Sequence, residues 1–560
     1  MNGRNAETRE MIIKEFYGHI RRLINHPEAA WIVDDIYRGI ATQKQRATML
    51  REWYGPEFAI FKLSDEGDIS SDLSLILSAS PEKRKPIMSY LYGLINQLIQ
   101  KKLTGFTMLH DAMLQYFQNT KPSSEEASEF ICNLQSDEES DLLKNLAFTP
   151  SGSQVVCFAL ASGTAKDRRH ILKAYKNVVE LMAYDPFGYK ILLTIYDVVD
   201  DTVMVSKSII AELISRASSK STEEQIRKQH ETIASLAMHN TARTTILYPF
   251  TGLAKWLFPP GSAYASLLPT IEEMRASTSK KPADVRHAEI RAALMGPVLS
   301  TIAACAADLS KSSFGCQLIT ETLLAASTMN GGGDGTGKAA SNDDNFATLA
   351  AAAEAVAALC AGSPEADESH IANSAAGCRM LKTLIAGGRY NHSLGKVACA
   401  EQQRRQQLQE KSEDSSASAS AVDSGPGAGK AFAKQVWQVI EREGTLKEWA
   451  CGSGSFVVVA LLETDGFGDE EGRTEVLVAL RKAKKGLKEV AATRDEAGLD
   501  AGDGDRDGNG HKKKMKKKKE KEQGGEESGG KDATAKKGGR KGNTGASILL
   551  RILSAEKKGK

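Results

Sequence analysis

The chain has 560 residues, 41% hydrophobic and 26% charged, so most of its length is able to bury a core. Its formal charge of +2 is unevenly placed: residues 501–560 hold 18 Lys and Arg against 9 Asp and Glu, which leaves −7 for residues 1–500. The sequence has no uninterrupted apolar run of about 20 residues, no signal-peptide pattern at its start and no CxxC pair among eight scattered cysteines. These features argue against a membrane protein, a disulfide scaffold and a structural zinc site, and they favour a reducing cytosolic or nuclear compartment.

Helical periodicity dominates from the first residues onward. Residues 15–24, 73–79, 87–103 and 170–184 place apolar side chains at i, i+3, i+4 and i+7, which is the spacing of one buried helical face. Short turn signals such as Asp-Pro-Phe-Gly at 185–188 separate these segments. The sequence therefore predicts an all-α fold.

Three longer segments interrupt the helices. Residues 329–345, 402–431 and 495–545 are rich in Gly, Ser, Asn and charge, and such segments bury too little apolar area to offset the entropy of ordering. We expect two disordered loops and a disordered basic arm. The segment 547–558 follows the arm and would line one helical face with Ile548, Leu549, Ile552 and Leu553. We expect this helix to dock near 474–487; a free partner-binding helix is the alternative.

A short unit recurs along the chain: a turn, a small residue that is usually Gly, and a helix that opens with aliphatic residues. The copies are HPEAAWIVDDIY (26–37), TPSGSQVVCFAL (149–160), DPFGYKILLTIY (185–196), NTARTTILYPF (240–250), SSFGCQLITETL (312–323), SAAGCRMLKTLI (374–385) and GSGSFVVVALLE (452–463), with weaker ones at 54–63 and 103–114. Repeats of this kind bury their faces only against neighbouring repeats, so the pattern predicts a helical solenoid.

These copies resemble the Pumilio (PUF) repeat family, and more narrowly its nucleolar Puf-A branch. The block from DPFGYKILLTIYDVVDDT to NTARTTILYPF is the most specific part, and the resemblance runs from about residue 12 to 490. It implies a curved solenoid of PUF-like repeats over 1–260, where the chain starts at what resembles a middle repeat. Further PUF-like repeats or a C-terminal extension of the CPL type follow over 261–494, with insertions at 329–345 and 402–431. A basic arm (495–545) and a terminal helix (546–560) complete the predicted domains.

In PUF repeats, a base is recognised by residues that directly follow the small residue. The resemblance places them first, second and fifth after it; we call these the recognition positions. The first and fifth residues here are Ala30 and Asp34, Phe106 and His110, Ser153 and Cys157, Tyr189 and Leu193, Arg243 and Leu247, Cys316 and Thr320, Cys378 and Lys382, and Ser455 and Val459. Leu and Val cannot hydrogen-bond a base edge, so we expect base-by-base recognition to be largely lost.

The remaining signal suits contact with phosphates, which positions a nucleic acid without specifying its sequence. The helix AKDRRHILKAYK (165–176) is basic, and several recognition positions carry Lys, Arg or Tyr. The candidate RNA-binding residues are Lys166, Arg168, Arg169, Lys173, Lys176, Tyr189, Lys190, Arg243, Arg379 and Lys382. The alternative for 165–176 is a solvated helix face, and for Trp31 we favour packing in the core over base stacking.

The run KKKMKKKK at 512–519 fits a nuclear or nucleolar address and a nonspecific RNA contact; a solubilising linker is the alternative. The address would consist of Lys512, Lys513, Lys514, Lys516, Lys517, Lys518 and Lys519.

Enzyme and metal motifs are incomplete. GGDGTGKA (332–339) ends in Ala339 where a phosphate-binding loop needs Ser or Thr, and DGDRDG (503–508) lacks the twelfth-position Glu of a calcium loop. We therefore expect a protein that is not an enzyme and has no cofactor or metal.

The resemblance implies an RNA-binding protein of the nucleus and nucleolus that assists large ribosomal subunit biogenesis through largely sequence-independent binding to precursor rRNA. Pre-ribosomal assembly factors would be its partners, and we expect a monomer with no membrane association. Two alternatives stay open: a Pumilio-like repressor of mRNA translation, which predicts a short U-G-U-containing site, and a helical-repeat scaffold for proteins, which predicts no salt-dependent RNA affinity.

Overall fold

The computed structural model describes residues 4–60, 70–137, 139–218, 221–330, 342–391, 396–398, 427–464, 470–492 and 543–555. The chain forms two compact units. The N-terminal unit comprises residues 1–356 and 388–425, and the C-terminal unit comprises residues 357–387 and 426–560. The division thus falls near residue 356, whereas the sequence suggested a boundary at 260. The predicted loops 329–345 and 402–431 and the predicted arm 495–545 lie mostly outside the described residues. Their ends at 329–330, 342–345, 427–431 and 544–545 are helical, so the predicted bounds were too wide there.

The first unit is built from helices of 3 to 28 residues. They are α1 (Arg4–Phe16), α2 (Ile20–Leu23), α3 (Ala29–Asp35), α4 (Gln43–Arg51), α5 (Pro56–Ile60), α6 (Leu73–Ala79), α7 (Arg84–Gln100), α8 (Thr107–Gln118), α9 (Glu125–Leu134), α10 (Asp141–Ala147), α11 (Pro150–Ser162), α12 (Ala165–Ala174), α13 (Val179–Tyr184), α14 (Gly188–Val198), α15 (Thr202–Val205), α16 (Ala211–Leu213), α17 (Glu223–Met238), α18 (Arg243–Thr251), α19 (Ala263–Arg275), α20 (Ala283–Ser310), α21 (Ser313–Asn330) and α22 (Asn342–Ala358). Two π-helical turns, Ile36–Ile40 and Ser206–Ile210, extend α3 and α15.

The second unit contains α23 (Ala375–Ile385), α24 (Gly427–Glu443), α25 (Leu446–Cys451), α26 (Ser455–Glu463), α27 (Glu470–Lys482), α28 (Lys484–Ala492) and α29 (Thr544–Ala555).

Short 3-10 turns occur at Glu52–Tyr54, Pro81–Lys83 and Ile371–Asn373. Within the described ranges, the departure from helix is one antiparallel hairpin, β1 (Arg389–Asn391) with β2 (Lys396–Ala398), which pairs Tyr390 with Val397. The predicted all-α class is confirmed.

A repeated contact explains the glycine in the sequence unit. A Cβ atom on Gly152, Gly188, Gly315 or Gly377 would come within 3.0 Å of a backbone oxygen, and in each case that oxygen belongs to the residue six positions earlier. Only glycine lets the two helices of a repeat approach this closely. Four of the repeats predicted from sequence therefore share one local geometry, whereas a Cβ atom on Gly454 would meet the ring of Trp449 instead.

The helices that follow the small residues pack side by side in the first unit. Helix α11 contacts α8 on one side and α14 on the other, while α18 contacts α14 and α21. Helix α19 packs against both α11 and α14. As a result α14 and α18 are buried along nearly their whole length.

Two carboxylates, the buried Asp197 and the partly exposed Asp200, hold the segment around α19 and α20 onto α14 and the residues that follow it. Asp197 accepts hydrogen bonds from the hydroxyls of Tyr248 and Tyr264 and lies 2.7 Å from His287 Nε2. Burial on its own raises the pKa of Asp197, but these hydrogen bonds and the His287 ring hold it below its ordinary value. Asp200 pairs with Arg286, which is fully buried. Breaking a buried network of this kind is costly because unpaired donors remain.

The C-terminal helix is docked, as the sequence predicted. Helix α29 contacts α28, α27, α26 and α25, and Leu549 and Leu553 are buried in that contact. Asn543 secures its start, because its Nδ2 donates to the carbonyls of Cys451 and Gly452. Ser455 Oγ in turn donates to Asn543 Oδ1 at 2.8 Å. The interpretation as a free helix is wrong.

One described helix, α20, is long and apolar enough in composition to cross a bilayer. In the structure it packs against α17 and α21, and its Leu294, Val298 and Ile302 are buried in that contact. A core helix of a helical-repeat protein has the same composition, since its apolar face is covered by neighbours.

Candidate nucleic-acid interface

Helix α12 presents a basic surface. Thr164 and Asp167 form a reciprocal capping box at its N-terminus, which fixes where the helix begins. Lys166, Arg169 and Lys173 are exposed at a spacing of three and four residues, so they share one side of the helix. Lys176 is exposed directly after the helix ends. We call Lys166, Arg169, Lys173 and Lys176 the α12 basic face.

The charges of the α12 basic face are largely uncompensated. Arg169 lies 3.8 Å from Asp201, but both side chains are about half exposed, so the pair contributes little. In the part of the chain that the structure describes, Lys166, Lys173 and Lys176 make no ion pair. The face is therefore available to an external anion.

Arg168, which we predicted to bind RNA, points into the protein. It is 3% exposed, and its guanidinium donates to the carbonyls of Leu160 and Ala161 and to Thr278. Burial lowers its pKa to about 10. Since all three guanidinium nitrogens already have acceptors, Arg168 tethers the α19–α20 connection to α11 and is removed from the candidate interface.

Two cations at recognition positions are also interior. Lys190 is 4% exposed, its Nζ lies 5.3 Å from the ring centre of Phe187, and burial lowers its pKa. Arg243 is 7% exposed, stacks 3.8 Å from the ring centre of Phe314, and donates to Gln317 Oε1 at 2.7 Å. Their predicted phosphate contacts are incompatible with this burial. Tyr189 is half-buried.

Burial extends to the other recognition positions of the first unit. The buried first and fifth residues are Ala30, Asp34, Phe106, His110, Ser153, Cys157, Leu193, Leu247, Cys316 and Thr320. Several are committed to internal hydrogen bonds: His110 lies 2.8 Å from both Thr149 Oγ1 and the Thr104 carbonyl. Residues so placed cannot reach a base edge, which agrees with the expected loss of base-by-base recognition.

The second unit differs. Arg379 and Lys382 are exposed on α23, at the second and fifth recognition positions of their repeat. Phe456, at the second position of the next repeat, is 38% exposed, and Lys382 Nζ lies 5.5 Å from its ring centre. Phe456 is not among the site residues predicted from the sequence. Its place directly after Ser455 in GSGSFVVVALLE is the signal that could have identified it.

Trp31 is exposed rather than in the core. Its side chain is 59% exposed, with one edge against Phe106 at a centroid distance of 5.0 Å. The buried face of this helix is formed by Ala30, Val33 and Asp34, and Trp31 lies about 100° away from it. The preference for a core Trp31 is therefore wrong.

Other predicted features have no structural test. The lysine run at 512–519 and the segment 332–339 lie outside the described residues. In the ranges that are described, no group of three His, Cys, Asp or Glu side chains is placed to hold a metal ion, and the seven cysteines there are free.

Comparison with known proteins gives matches of three kinds. The CPL (NUC119) domain family matches residues 238–394. "Pumilio homology domain family member 6" of Schizosaccharomyces pombe is 30% identical over 468 residues, which are 83% of this chain and 60% of that protein. Human "Pumilio homolog 3" is 27% identical over 393 residues, 69% of this chain and 53% of that protein. The chain thus spans little more than half the length of these relatives.

Solved structures agree with the fold. The crystal structure of human Puf-A is 25% identical, has a TM-score of 0.61 and covers 86% of this chain and 78% of its own. The crystal structure of human Puf-A in complex with DNA gives 24% identity and a TM-score of 0.62, with the same coverage.

Proposed function

Because this chain is a Puf-A-like member of the Pumilio family, we propose that it binds RNA through the phosphate backbone, largely independently of base sequence. The α12 basic face carries this proposal: its four cations are exposed, whereas the first and fifth recognition positions of the first unit are almost all buried. A surface with charge but without base-edge contacts binds many sequences alike. The complex of human Puf-A with DNA lends support at the level of the fold.

If the protein binds through phosphates, its RNA affinity must fall with salt concentration by a defined amount. Each phosphate that a Lys or Arg neutralises releases counterions, so log affinity falls with log salt by roughly 0.7 per contact on a single strand. If all four residues of the α12 basic face contact phosphates, they account for about 3 units of that slope.

Charge reversal of the face tests the proposal. In the full chain, Lys166, Arg169, Lys173 and Lys176 are replaced by Glu, and affinity for several unrelated single-stranded RNAs is measured by fluorescence anisotropy over a salt series. The matched control reverses four exposed cations elsewhere in the same unit that form no ion pair within the described residues: Lys44, Lys85, Lys228 and Lys255.

Both variants change the net charge equally, so only the location of the charges differs. We expect the α12 variant to lose affinity for every sequence alike and to lose about 3 units of salt slope, with a much smaller loss in the control. Equal losses in both variants, or none in either, would contradict a role for this face.

We further propose that the protein acts in the nucleolus, where it assists large ribosomal subunit biogenesis by binding precursor rRNA together with assembly factors. Family membership and the lysine run at 512–519 support this proposal. A fluorescent fusion is expected to concentrate in the nucleolus and to leave it when residues 510–541 are deleted. In-cell crosslinking should recover precursor rRNA; recovery of mRNA 3′ ends that share a short motif would favour a translational repressor instead.

A further inference from the structure

The first unit contains a surface pocket whose lining carries more hydrogen-bond donors than the protein itself uses. The pocket lies at α2, has a volume of about 420 Å³ and is lined by His19, Arg22, Leu23, His26 and Ala29. We call it the α2 pocket. A ligand bound there goes beyond the proposed function, because contact between the α12 basic face and an RNA backbone does not require this pocket.

Consecutive backbone turns bring the three polar residues of the α2 pocket together. The amide of Arg22 donates to the carbonyl of His19, and the amide of His26 donates to the carbonyl of Leu23, both at 3.0 Å. His19, Arg22 and His26 are spaced by three and four residues, which are the intervals that place side chains on one side of successive helical turns. All three therefore line the same cavity.

A buried carboxylate fixes the backbone that carries His19. Glu52 is 2% exposed and accepts hydrogen bonds from the amides of Gly18 and Ile20, at 2.6 and 3.1 Å. These two amides flank His19 along the chain. The start of α2 is thus held in place before any ligand arrives, which lowers the entropic cost of binding.

The ring of His26 is held with one nitrogen free. Its Nδ1 accepts hydrogen bonds from the amides of Glu28 and Ala29, both at 3.2 Å. A ring nitrogen that accepts a hydrogen bond carries no proton, so the proton of the neutral ring is on Nε2. His26 Nε2 is therefore an N–H donor, and it has no acceptor among the residues that the structure describes.

The other two donors of the α2 pocket are also unused. His19 and Arg22 are exposed, and across the described ranges their side chains make no hydrogen bond or ion pair. The one carboxylate in the sequence from 16 to 33 is that of Glu28, which does not line the pocket. The pocket thus combines three donor groups and leaves their charge uncompensated.

An exposed Arg is ordinary on a protein surface, but most of its neighbours here have partners. Arg38 pairs with Asp35 at 2.6 Å, and Lys14 pairs with Glu10 at 2.9 Å. Arg22 differs because it lines a cavity beside two further donors and has no acid within reach. Unpaired donors that converge on a cavity indicate an anionic ligand.

The number of donors indicates which anion fits. A phosphodiester has two free oxygens and one negative charge, whereas a phosphate monoester has three acceptor oxygens and about 1.5–2 negative charges at neutral pH. Three donor groups, one of them a charged guanidinium, match the three oxygens of a monoester. The cavity is larger than a phosphate, and Leu23 and Ala29 give it an apolar wall, so the group that bears the phosphate also has room.

We propose that the α2 pocket binds a phosphate monoester, with Arg22 and the ring N–H groups of His19 and His26 each donating to a terminal oxygen. A free nucleotide and the phosphorylated end of an RNA strand both present this group. A phosphate inside a strand lacks the third oxygen, so the pocket prefers strand ends and free nucleotides to the backbone.

The test uses the full chain with free and strand-borne phosphates. Uridine and uridine 5′-monophosphate are titrated by calorimetry. A 12-nucleotide oligouridine with an internal label is measured by fluorescence anisotropy, with hydroxyl ends, with a 5′-phosphate and with a 3′-phosphate.

Three variants are compared with the parent. Arg22→Gln removes the charge from the pocket. His26→Asn keeps an acceptor for the two amides that Nδ1 holds and removes the ring donor. Lys228→Gln is the matched control, since it removes one exposed cation elsewhere in the same unit that has no ion pair within the described residues.

In the parent we expect a terminal phosphate to strengthen oligouridine binding about tenfold, the size of one hydrogen bond to a charged group. Arg22→Gln should abolish this gain and His26→Asn should reduce it, whereas Lys228→Gln should retain it. Binding of uridine 5′-monophosphate without binding of uridine supports a free nucleotide as ligand, and a gain confined to the strands supports a strand end. Equal binding of phosphorylated and unphosphorylated probes by the parent, or equal loss of the gain in Arg22→Gln and Lys228→Gln, would overturn the proposal.

The two proposals fail in different ways. If the strands bind and a terminal phosphate adds nothing, the α2 pocket is not a monoester site and the backbone-binding function stands. If the parent binds uridine 5′-monophosphate but no strand, the pocket stands and the proposed function is wrong. Should Arg22→Gln unfold, the comparison of probes on the parent and on His26→Asn decides the same question.

Discussion

Cations occupy equivalent recognition positions in the two units, but different surroundings give them different roles. In the first unit, Lys190 is buried with a lowered pKa at the second position. In the second unit, Arg379 occupies the second position and is exposed. The fifth positions also differ in burial: His110 is buried and its pKa is lowered to about 4, so it is uncharged near neutral pH, whereas Lys382 is exposed. A cation in a repeat motif therefore indicates a phosphate contact only where no later helix or side chain covers it.

The largest effect that separates the two units should come from arginine removal. Arg243→Ala deletes the stack on Phe314 and the hydrogen bond to Gln317, so we expect it to lower the free energy of unfolding by about 2–3 kcal/mol. Arg379→Ala removes an exposed side chain and should change it by less than about 0.5 kcal/mol. Denaturant unfolding of both variants, with RNA affinity measured alongside, tests the contrast.

For RNA binding we expect the reverse order. Arg379→Ala should lower RNA affinity a few-fold, whereas Arg243→Ala should leave it unchanged. Equal destabilisation by the two substitutions would show that the units do not differ in the way described.

In the first unit, the free energy of unfolding should change by a similar amount when the pH is lowered. Burial lowers the pKa of His110 to about 4, against an ordinary value near 6.5. The folded state thus resists protonation that the unfolded state accepts, so this contribution to stability is complete above pH 6.5 and is lost as the pH falls towards 4. Between pH 6.5 and 5 the loss is about 2 kcal/mol.

The measurement is the difference in unfolding free energy between the parent and His110→Leu at each pH. Taking the difference matters because Asp34, whose pKa burial raises to about 6, acts in the opposite direction and loses stability as the pH rises from 4 to 6. Lys382→Leu serves as the exposed counterpart and should show a flat difference. A flat difference for His110→Leu as well would refute the distinction between the two fifth positions.

The smallest effect should come from the clamp at the start of α29. Asn543→Ala removes two hydrogen bonds to the carbonyls of Cys451 and Gly452 and the acceptor of Ser455 Oγ. We expect a loss of about 1–2 kcal/mol, seen as faster amide exchange in 544–555. Unchanged exchange in α29 would mean that apolar packing alone holds it.

Much of the fold could be predicted from the sequence because each repeat unit carries two local signals, a small residue and a regular spacing of apolar residues. The small residue, usually glycine, marks the close approach of two helices, and apolar spacing marks the buried face of most helices. The same spacing also indicates that Arg168 is buried. Arg168 lies three and four residues before Ile171 and Leu172 and seven before Tyr175, and all of these residues are buried. One helical face contains all four residues.

The surroundings of Lys190, Arg243 and Phe456 could not be predicted, because they depend on contacts between residues that are distant in sequence. Lys190 and Arg243 lie in segments whose surroundings come from helices packed around α14 and from Phe314 on α21, and local sequence does not show such packing. Phe456 acquires its environment from Lys382, 74 positions earlier, and its support from Asn543, 87 positions later. No spacing rule within one helix could have joined these three residues.

Peptide-level mapping of RNA crosslinks on the full chain tests the central claim most directly. A photoreactive single-stranded RNA is crosslinked to the protein, and the modified peptides are identified by mass spectrometry. We expect crosslinks in 165–176 and 375–385, with none in the buried helices 188–198 and 243–251. Crosslinks concentrated in those two buried helices would contradict it, because RNA would then reach the row of recognition positions that the structure encloses.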